Sequence, residues 1–453
     1  MAPDRVKLML AAAVGATPVK RTLGDHQVVL MSRATALEMA RRLPGLLIEE
    51  DQPLRLFAMP QLPARAPARD FRHALKVSVH DAASGAALPN VTLFGIGAAL
   101  SYRADSGADG TAVLEADEPE LQQLIVSPRQ GHWSRVLWRV PVQGGLRVRL
   151  QRLTPSGGHS WGHRVMGFHR VAHRFAGAGL RVAVIDSGVS DAVAELRVAG
   201  GLNTLDGQAA ADWRIDAKGH GTHCAGVIAA RGNARGVLGG APKADLFALK
   251  VLPGGYVSDL VEAIEWCIAQ RIDVMSMSLG SDAPSAVLES ALQQACLRGL
   301  TCIAAAGNDA TRVAYPAAFA SVIAVAAIGR FGSFPPDSAH ALRVGRATDV
   351  RGELFAAGFS NWGPEIAVCA PGVAVLSTVP TGYAVWDGTS MACPMVAALA
   401  ALVLEANPWA RSGDAAQPEF VRAALTASAA PLGMPAALQG AGLPLAPSAL
   451  RLA

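Results

Sequence analysis

The chain has 453 residues, of which 51% are hydrophobic and 17% are charged. It is therefore too long for one ordinary domain and too apolar for a disordered protein. The formal net charge is only +4 and no run of Lys or Arg accompanies it, so we expect no nucleic-acid partner. We also find no apolar run of the ~18–20 residues that a membrane span needs, and we expect no integral membrane segment.

Residues 1–58 have the pattern of a small α+β region. QVVLMS predicts a strand, ATALEMARRL a helix and LLIEEDQPLRLF a further extended stretch. The apolar stretch from Leu8 to Ala16 has the minimum length of a signal-peptide core, and the alternative is the first strand or helix of a folded domain. The protein is secreted in the first case and intracellular in the second, so the sequence leaves its localisation open.

A proline-rich linker is predicted at residues 59–69, because Pro60, Pro63 and Pro67 exclude helix and sheet interiors. Residues 70–151 then contain short extended runs such as KVSVH, NVTLFGI and TAVLEA, with turn residues in DAASG and DSGADG. No helical periodicity interrupts them. This pattern predicts an antiparallel β-sandwich, and a long irregular insertion is the alternative.

Strands and helices alternate between residues 160 and 450. RVAVID, ADLFALKVL, IDVMSMSL, TCIAAA and VIAVAAI predict buried strands. One face of a helix is marked by Leu260, Ala263, Ile264, Cys267 and Ile268. Such alternation is typical of an α/β domain with a parallel sheet covered by helices on both faces.

The six cysteines have no CxxC spacing and lie in apolar or motif segments. We expect free, buried thiols rather than disulfides or a zinc site. The cysteines are Cys224, Cys267, Cys296, Cys302, Cys369 and Cys393.

Three short segments carry residues suited to nucleophilic catalysis. VAVIDSGV places Asp186 at the end of a buried strand, and GHGTHCAG places His220 before a helix. GTSMACPMVAA places Ser390 at a helix start, because we expect Pro394 only in a first turn. A serine hydroxyl needs a base, histidine is a base near neutral pH, and a buried carboxylate can fix the imidazole tautomer. We therefore predict a catalytic triad of Asp186, His220 and Ser390.

In this order of Asp, His and Ser, the segments resemble the subtilisin family. SMSLGS, AAAGN, YPAAF, FSNWG and GTSMACP are similar to segments of that family and stand in its order, while HGTHCAG resembles its proteinase K-like branch. The resemblance covers roughly residues 160–450. It implies a serine endopeptidase that hydrolyses polypeptide substrates through an acyl-enzyme. Residues 1–58 are similar to the inhibitory propeptides of the family, which implies a cut by the chain's own Ser390 near residues 57–69.

The resemblance also implies an oxyanion hole. Asn308, in AAAGN, matches the family's side-chain donor, and the backbone N–H of Ser390 would be the second donor. A turn residue after a strand is the alternative for Asn308.

Substrate would lie as an added strand between two edges of the domain. One matching edge is Ser278, Leu279 and Gly280, and the other is Gly254 and Gly255. The small residues Ala304, Ala305 and Gly307 predict a roomy pocket for a large apolar or aromatic side chain before the cut bond. Tight core packing is the alternative for the two alanines.

No cofactor is required by this chemistry, and no clear calcium loop is present, so structural calcium stays open. His169 and His173 have the spacing of metal ligands on a helix, but no further ligand accompanies them and a solvated helix face is favoured. We expect a monomer. The insert at residues 330–356 is longer than the family pattern and could border the cleft. The alternative function is a catalytically inactive subtilisin-fold protein that binds partners through its β-sandwich.

Overall fold

The computed structural model describes residues 5–10, 19–23, 26–43, 47–57, 72–233, 236–346 and 349–450. These residues form three successive units. The predicted linker at residues 59–69 lies outside the described residues.

The N-terminal unit is a four-stranded antiparallel sheet with one helix. Its elements are β1 (Arg5–Leu10), β2 (Val19–Leu23), β3 (His26–Ser32), α1 (Arg33–Arg42) and β4 (Ile48–Glu50), followed by the short strand β5 (Arg55–Leu56). The sheet order is β2-β3-β1-β4. Ser32 begins α1 by accepting a hydrogen bond from the Thr35 backbone N–H at 3.1 Å, a typical N-cap. The apolar stretch considered as a signal-peptide core begins in β1, and residues 11–16 of it lie outside the described part.

The second unit consists of two sheets that share one hydrophobic core. Its strands are β6 (His73–Asp81), β7 (Val91–Ile96), β8 (Ser101–Asp105), β9 (Thr111–Ala116), β10 (Glu120–Pro128), β11 (Arg135–Pro141) and β12 (Gly145–Leu150). One sheet has the order β11-β10-β7-β8 and the other β12-β6-β9. The β6–β12 pair is parallel, so the expectation of a wholly antiparallel arrangement is wrong at this pair. The two strands lie at opposite ends of the unit in sequence, and the chain direction of a distant pair cannot be predicted from a local pattern.

The third unit is α/β and contains a nine-stranded sheet in the order β14-β15-β13-β16-β18-β19-β21-β20, with β22 paired to β19. The sheet strands are β13 (Arg181–Asp186), β14 (Val198–Asn203), β15 (Asp245–Lys250), β16 (Val274–Met277), β18 (Thr301–Ala305), β19 (Ile323–Arg330), β20 (Val350–Arg351), β21 (Leu354–Ala356) and β22 (Ile366–Pro371). Shorter pairs involve β17 (Leu279–Gly280), β23 (Val375–Val379), β24 (Gly382–Trp386), β25 (Ala429–Ala430) and β26 (Leu443–Pro444). Most of the large sheet is parallel, and β21 and β20 add an antiparallel edge.

Helices pack against this sheet. They are α2 (Trp161–Val165), α3 (Phe168–Val171), α4 (His220–Ala229), α5 (Val257–Ala269), α6 (Ala286–Leu297), α7 (Thr389–Ala406), α8 (Ala416–Ala427), α9 (Ala436–Gln439) and α10 (Ala446–Ala449). On α5, Leu260, Ala263, Ile264 and Cys267 of the predicted apolar face are fully buried. Because α3 ends at Val171, His173 does not share a helix face with His169, and the helical arrangement considered for that pair is absent.

Helix α7 is apolar on all sides because the core surrounds it. Its 18 residues are long and apolar enough to cross a membrane, yet 89% of them are buried inside the protein. In the sequence this window is not an unbroken apolar run, because it contains Thr389, Ser390, Pro394 and Glu405. A helix that is buried on every face has the same apolar composition as a membrane-spanning helix.

Candidate active site

The predicted Asp–His pair is formed where β13 ends and α4 begins. Asp186 is the last residue of β13 and is fully buried, and His220 is the first residue of α4. His220 Nδ1 lies 2.8 Å from Asp186 Oδ1 and 2.9 Å from Oδ2. This contact places the proton on Nδ1 and leaves Nε2 unprotonated, which is the tautomer that a general base needs.

The electrostatics of His220 support that role. Burial disfavours its charged form, but the nearby Asp186 and Asp216 carboxylates favour it more strongly, so the pKa of His220 is raised above its usual value of 6.5. Nε2 is buried and has no hydrogen-bond partner among the described residues. An unpaired buried nitrogen of this kind is available to accept a proton from a nucleophile.

Ser390 is the second residue of α7, and its hydroxyl donates to the Ser278 carbonyl at 3.3 Å. Pro394 lies in the second turn of α7, so the expectation that it occurs only in a first turn is wrong. A proline at this position has no N–H for the carbonyl four residues earlier. The Ser390 carbonyl instead accepts from Ser278 Oγ at 3.0 Å and from Cys224 Sγ at 3.4 Å.

Asn308 is held so that its amide nitrogen points into the cleft. Its Oδ1 accepts from the backbone N–H of Thr389 at 2.9 Å and from the Thr389 hydroxyl at 2.8 Å. Nδ2 donates to the carbonyl oxygen of Phe57. A Cβ at Gly388, where φ is +154°, would lie 3.1 Å from Nδ2 and 3.6 Å from that oxygen. Only the distance to Nδ2 is tighter than an ordinary contact, so glycine at this position leaves room for the Asn308 amide.

The two predicted substrate edges lie on either side of residues 54–57. Strand β5 pairs antiparallel with β17, with Leu56 opposite Leu279 and Arg55 opposite Gly280. On the other side the Leu54 N–H donates to the Gly255 carbonyl at 2.9 Å. The chain's own residues 54–57 thus occupy the cleft as an added strand.

The side chain before the Asn308-bound carbonyl is Phe57, only 2% exposed. A Cβ at Gly280 would lie 2.4 Å from the Phe57 ring, so this glycine makes room for the ring. Gly254 has φ of +85° and shapes the turn before Gly255.

The other residues predicted for the pocket lie at the end of β18. Ala304 and Ala305 are fully buried. The Gly307 N–H donates to the Thr389 hydroxyl at 3.1 Å, so this glycine contacts the framework of Asn308.

Two features of the site were missed from the sequence. Asp216 accepts from Ser187 Oγ at 2.8 Å and from the Thr222 N–H at 2.8 Å, and burial raises its pKa. It lies four residues before His220, and a carboxylate so close to a histidine motif was the available signal. Trp386 stacks on the ring of His223, with centroids 4.6 Å apart, and no local pattern indicates that contact.

The neighbouring cysteines and histidines are structural. All six cysteines are free, as expected. Cys224 Sγ lies 3.9 Å from His220 Nδ1, and burial raises its pKa, while burial raises that of Cys393 to about 12. Both thiols are therefore protonated at neutral pH and are poor nucleophiles. Burial lowers the pKa of His223 to about 3, which excludes it as the base.

Three residues at this position carry side chains that can bind metal ions. Ligand atoms of Asp186, His220 and Cys224 lie within 4.8 Å of one another. The Asp–His contact and the protonated thiol account for this grouping without an ion.

The sequence of the third unit is similar to that of known proteins. Residues 177–442 match the model of the subtilase family. The chain is 40% identical over 254 residues to alkaline elastase YaB from Bacillus sp. (strain YaB), covering 55% of this chain and 60% of that protein. It is 39% identical over 246 residues to subtilisin DY from Bacillus licheniformis, covering 52% of this chain and 81% of that protein. Subtilisin BL from Lederbergia lenta is 40% identical over 237 residues, which cover 51% and 78% of the two chains. The chain belongs to the subtilase family of subtilisin-like serine endopeptidases.

Proposed function

We propose that this protein hydrolyses internal peptide bonds of polypeptides, with Ser390 as nucleophile, His220 as general base and Asp186 as the residue that orients His220. The proposal includes polypeptide substrates, activity of a single chain and no required cofactor. The single observation that carries it is the position of the Phe57 carbonyl, which accepts from Asn308 in the cleft that also contains the Asp186–His220 pair.

The chemistry follows in two acyl transfers. His220 Nε2 takes the proton of Ser390 Oγ as this oxygen attacks the carbonyl carbon, and the carbonyl oxygen becomes an anion. Asn308 Nδ2 and the Ser390 backbone N–H donate to that anion. The C–N bond then breaks, and His220 gives its proton to the leaving amine. Water repeats the sequence on the ester and releases the acid.

Ser390 must rotate away from Ser278 to begin this sequence, because its hydroxyl donates to the Ser278 carbonyl in the described state. The His220 Nε2 lone pair is the acceptor left without a partner. Catalytic hydrogen bonds are often incomplete before a productive complex forms, so this geometry is compatible with the proposed roles.

The proposal is tested with a fluorophosphonate probe, which forms a covalent bond with an activated serine. Labelling of the wild type that is lost in Ser390→Ala supports it. Folded wild-type protein that neither labels nor hydrolyses casein would instead support the inactive binding protein considered above, in which the second unit is the functional part.

We further propose that residues 1–57 are an inhibitory prosegment and that the bond between residues 57 and 58 is the first to be cut. This bond lies at the start of residues 57–69, the range in which the sequence predicts the first cut. It is supported by the carbonyl of that bond being the one bonded to Asn308, and by residues 54–57 filling the cleft in the manner of substrate.

A further inference from the structure

The side chain of Arg55 lies between two carboxylates of the third, α/β unit, which is called the catalytic unit below. Arg55 Nη2 lies 2.5 Å from Asp282 Oδ1 and 2.8 Å from Asp309 Oδ2, and Nη1 lies 3.3 Å from Asp309 Oδ1. The Arg55 side chain is 39% exposed and the Asp309 side chain 35%, so water screens this contact only in part. The Asp282 side chain is 78% exposed, and its contact with Arg55 is screened more strongly. The hydrogen bonding of the Arg55 guanidinium to the Asp309 carboxylate is the main cause of a raised pKa for Arg55.

Both carboxylates are placed by residues of the active site. Asp282 follows β17, which forms one edge of the cleft, and Asp309 follows Asn308. The backbone N–H of Asp309 donates to Asn361 Oδ1 at 2.8 Å, which fixes the chain at this point. The pair therefore faces one position of the bound strand, two residues before the residue whose carbonyl reaches Asn308.

We propose that Asp282 and Asp309 form an acidic subsite that selects polypeptide substrates with Arg or Lys at this position. The inference rests on the proposed peptidase function and adds a substrate class to it. Residues two apart in an extended strand point to the same side, and the Arg55 guanidinium lies 5.4 Å from the centre of the Phe57 ring. A substrate with a large apolar residue before the cut bond and a cation two residues earlier therefore reproduces the pattern of Phe57 and Arg55.

The test compares internally quenched peptides that share Leu-Xaa-Leu-Phe before the cut bond, with Xaa as Arg, Ala or Glu. The measured quantity is the ratio of kcat/KM for Arg to that for Ala, on enzyme quantified by fluorophosphonate labelling. Exposed ion pairs predict a ratio of about tenfold in the wild type and about threefold in Asp282→Asn or Asp309→Asn. The Asp282→Lys/Asp309→Lys double variant should prefer Glu to Arg.

Glu419→Gln is the matched control, because it removes an exposed carboxylate of α8 outside the cleft. Its Arg-to-Ala ratio should equal that of the wild type, and 0.5 M NaCl should reduce the wild-type ratio by screening. Equal rates for Arg and Ala peptides in labelled enzyme overturn the subsite. Absent labelling and turnover overturn the peptidase proposal itself, so the two failures are distinguishable.

A different observation concerns the other side of the cut bond. A cavity of about 820 Å³ begins at Phe57, His220 and Met391 and extends to the second unit. Its far wall includes Phe94 and Ile96 of β7 and Ile125 of β10. These side chains are half-buried.

This apolar wall is the outer face of the four-stranded sheet. Phe94 and Ile125 are directly paired, so they share a face. The next residues along each strand, such as Leu93 and Leu124, fill the sandwich core. A sheet covered on one side usually carries polar residues on the other, and an apolar patch that opens on a catalytic cleft indicates a binding surface.

The second unit is held in this place by backbone contacts. The Gly131 N–H donates to the Tyr383 carbonyl at 2.8 Å, and the Val136 N–H donates to the Asp337 carbonyl at 2.6 Å. The insert at residues 330–356, whose role was open, thus joins the two units. His340 and Arg343 of the insert also line the cavity.

We infer that the outer face of this sheet binds apolar side chains of the polypeptide substrate on the C-terminal side of the cut bond. The occupant follows from continuity, since the cavity begins at Phe57 and His220, where the C-terminal side of the proposed cut bond would enter it. This inference also rests on the proposed peptidase function, and it assigns the second unit a part in substrate selection.

The test uses two peptides with Leu-Arg-Leu-Phe before the cut bond, followed by Leu-Ile-Phe-Leu in one and Ser-Gly-Ser-Gly in the other. Burial of two apolar side chains predicts at least about tenfold higher kcat/KM for the apolar extension in labelled wild-type enzyme. Ile125→Asp should reduce this ratio to near one, and Phe94→Ser should reduce it in part.

Val113→Asp is the matched control. Val113 lies on β9 in the other sheet, is 54% exposed and does not line the cavity. Its ratio should stay at the wild-type value. Labelled Ile125→Asp enzyme that retains the full preference overturns the inference, as does a wild type that cleaves both peptides equally.

Discussion

The Ser390 carbonyl accepts two hydrogen bonds from side chains because Pro394 cannot donate to it. Ser278 Oγ and Cys224 Sγ take the place of the helical N–H. The first turn of α7 is therefore joined to Ser278, which lies between β16 and β17, and to Cys224 of α4. A residue that weakens a helix elsewhere here helps to hold Ser390, the proposed nucleophile, in place.

Ser390→Ala tests the nucleophile. We expect turnover to fall about 10⁶-fold, the size of the effect when a subtilisin loses its serine, with the fold unchanged because the side chain shrinks by one oxygen. The measurement is kcat on a peptide substrate with circular dichroism as the folding control. Activity of the variant within tenfold of the wild type would remove Ser390 from this role.

Asn308→Ala tests the oxyanion donor. The amide acts on charge that develops in the transition state, so kcat should fall about 10²–10³-fold with little change in KM. Thr389 also loses its Oδ1 acceptor in this variant. Asn308→Asp keeps that acceptor while removing the donor, and it should be no more active. A change in KM alone would contradict the assignment.

The pH profile tests His220. Only the neutral imidazole accepts the serine proton, so kcat/KM should fall as pH drops through the His220 pKa. Because the Asp186 carboxylate raises that pKa above 6.5, the midpoint should lie above 6.5 in the wild type. Asp186→Asn removes the charge and should move the midpoint of its residual activity downward. An unchanged midpoint in that variant would show that Asp186 does not act on His220.

At the scale of elements, the N-terminal unit caps two helices of the catalytic unit. Glu49 accepts from the Ala286 and Val287 N–H groups at the start of α6, at 2.9 and 3.2 Å. Asp51 accepts from the Ser258 N–H at 2.9 Å and from its hydroxyl at 2.7 Å, at the start of α5. Carboxylates are favoured at helix N-termini, where N–H groups lack helical partners. These two contacts align β5 with the cleft.

Asp51→Asn should loosen this docking. In the Ser390→Ala background, which cannot cut itself, the variant should speed amide hydrogen exchange of residues 52–57 and of the first turn of α5 roughly tenfold, because a buried charged cap is lost. Exchange in the second unit should not change. Glu38→Gln, which removes an exposed i,i+4 partner of Arg42 on α1, is the control. Equal exchange in both variants would mean that Asp51 contributes nothing to docking.

At the scale of the whole molecule, the three units meet at one cleft. Residues 54–57 of the N-terminal unit fill one side of it, and the second unit forms the far wall of the cavity on the other side. In the proposed mechanism these are the acyl side and the leaving-group side. The catalytic unit alone therefore does not define the surface that a substrate meets. A cut after residue 57 would open the acyl side and leave the second unit attached.

Intact mass measurements test this self-processing. We expect the wild type to lose residues 1–57 and the Ser390→Ala variant to keep its full length, because the cut requires the chain's own nucleophile. Purification of both variants under the same conditions controls for host proteases. Identical full-length masses in active preparations would show that residues 1–57 are a permanent domain.

The strength of the sequence prediction differed with the range of the interactions involved. Asp186, His220 and Ser390 each lie in a local segment whose residue types predict the proposed catalytic triad. The strands and helices around them follow from periodicity. The turn of α7 that contains Pro394 was predicted wrongly. The hydrogen bonds that replace its missing N–H come from Cys224 and Ser278, which are far away in sequence. The parallel β6–β12 pair was missed for the same reason.

The sequence by itself determined the α/β class of the catalytic unit, its family and its chemistry, because these depend on patterns within a few residues. Only the tertiary structure decided which residues surround the bound strand. The contacts of Arg55 with Asp282 and Asp309, and of the cavity with Ile125, join residues from different units. No local pattern records such contacts, since they arise when separately formed elements bury their surfaces against one another.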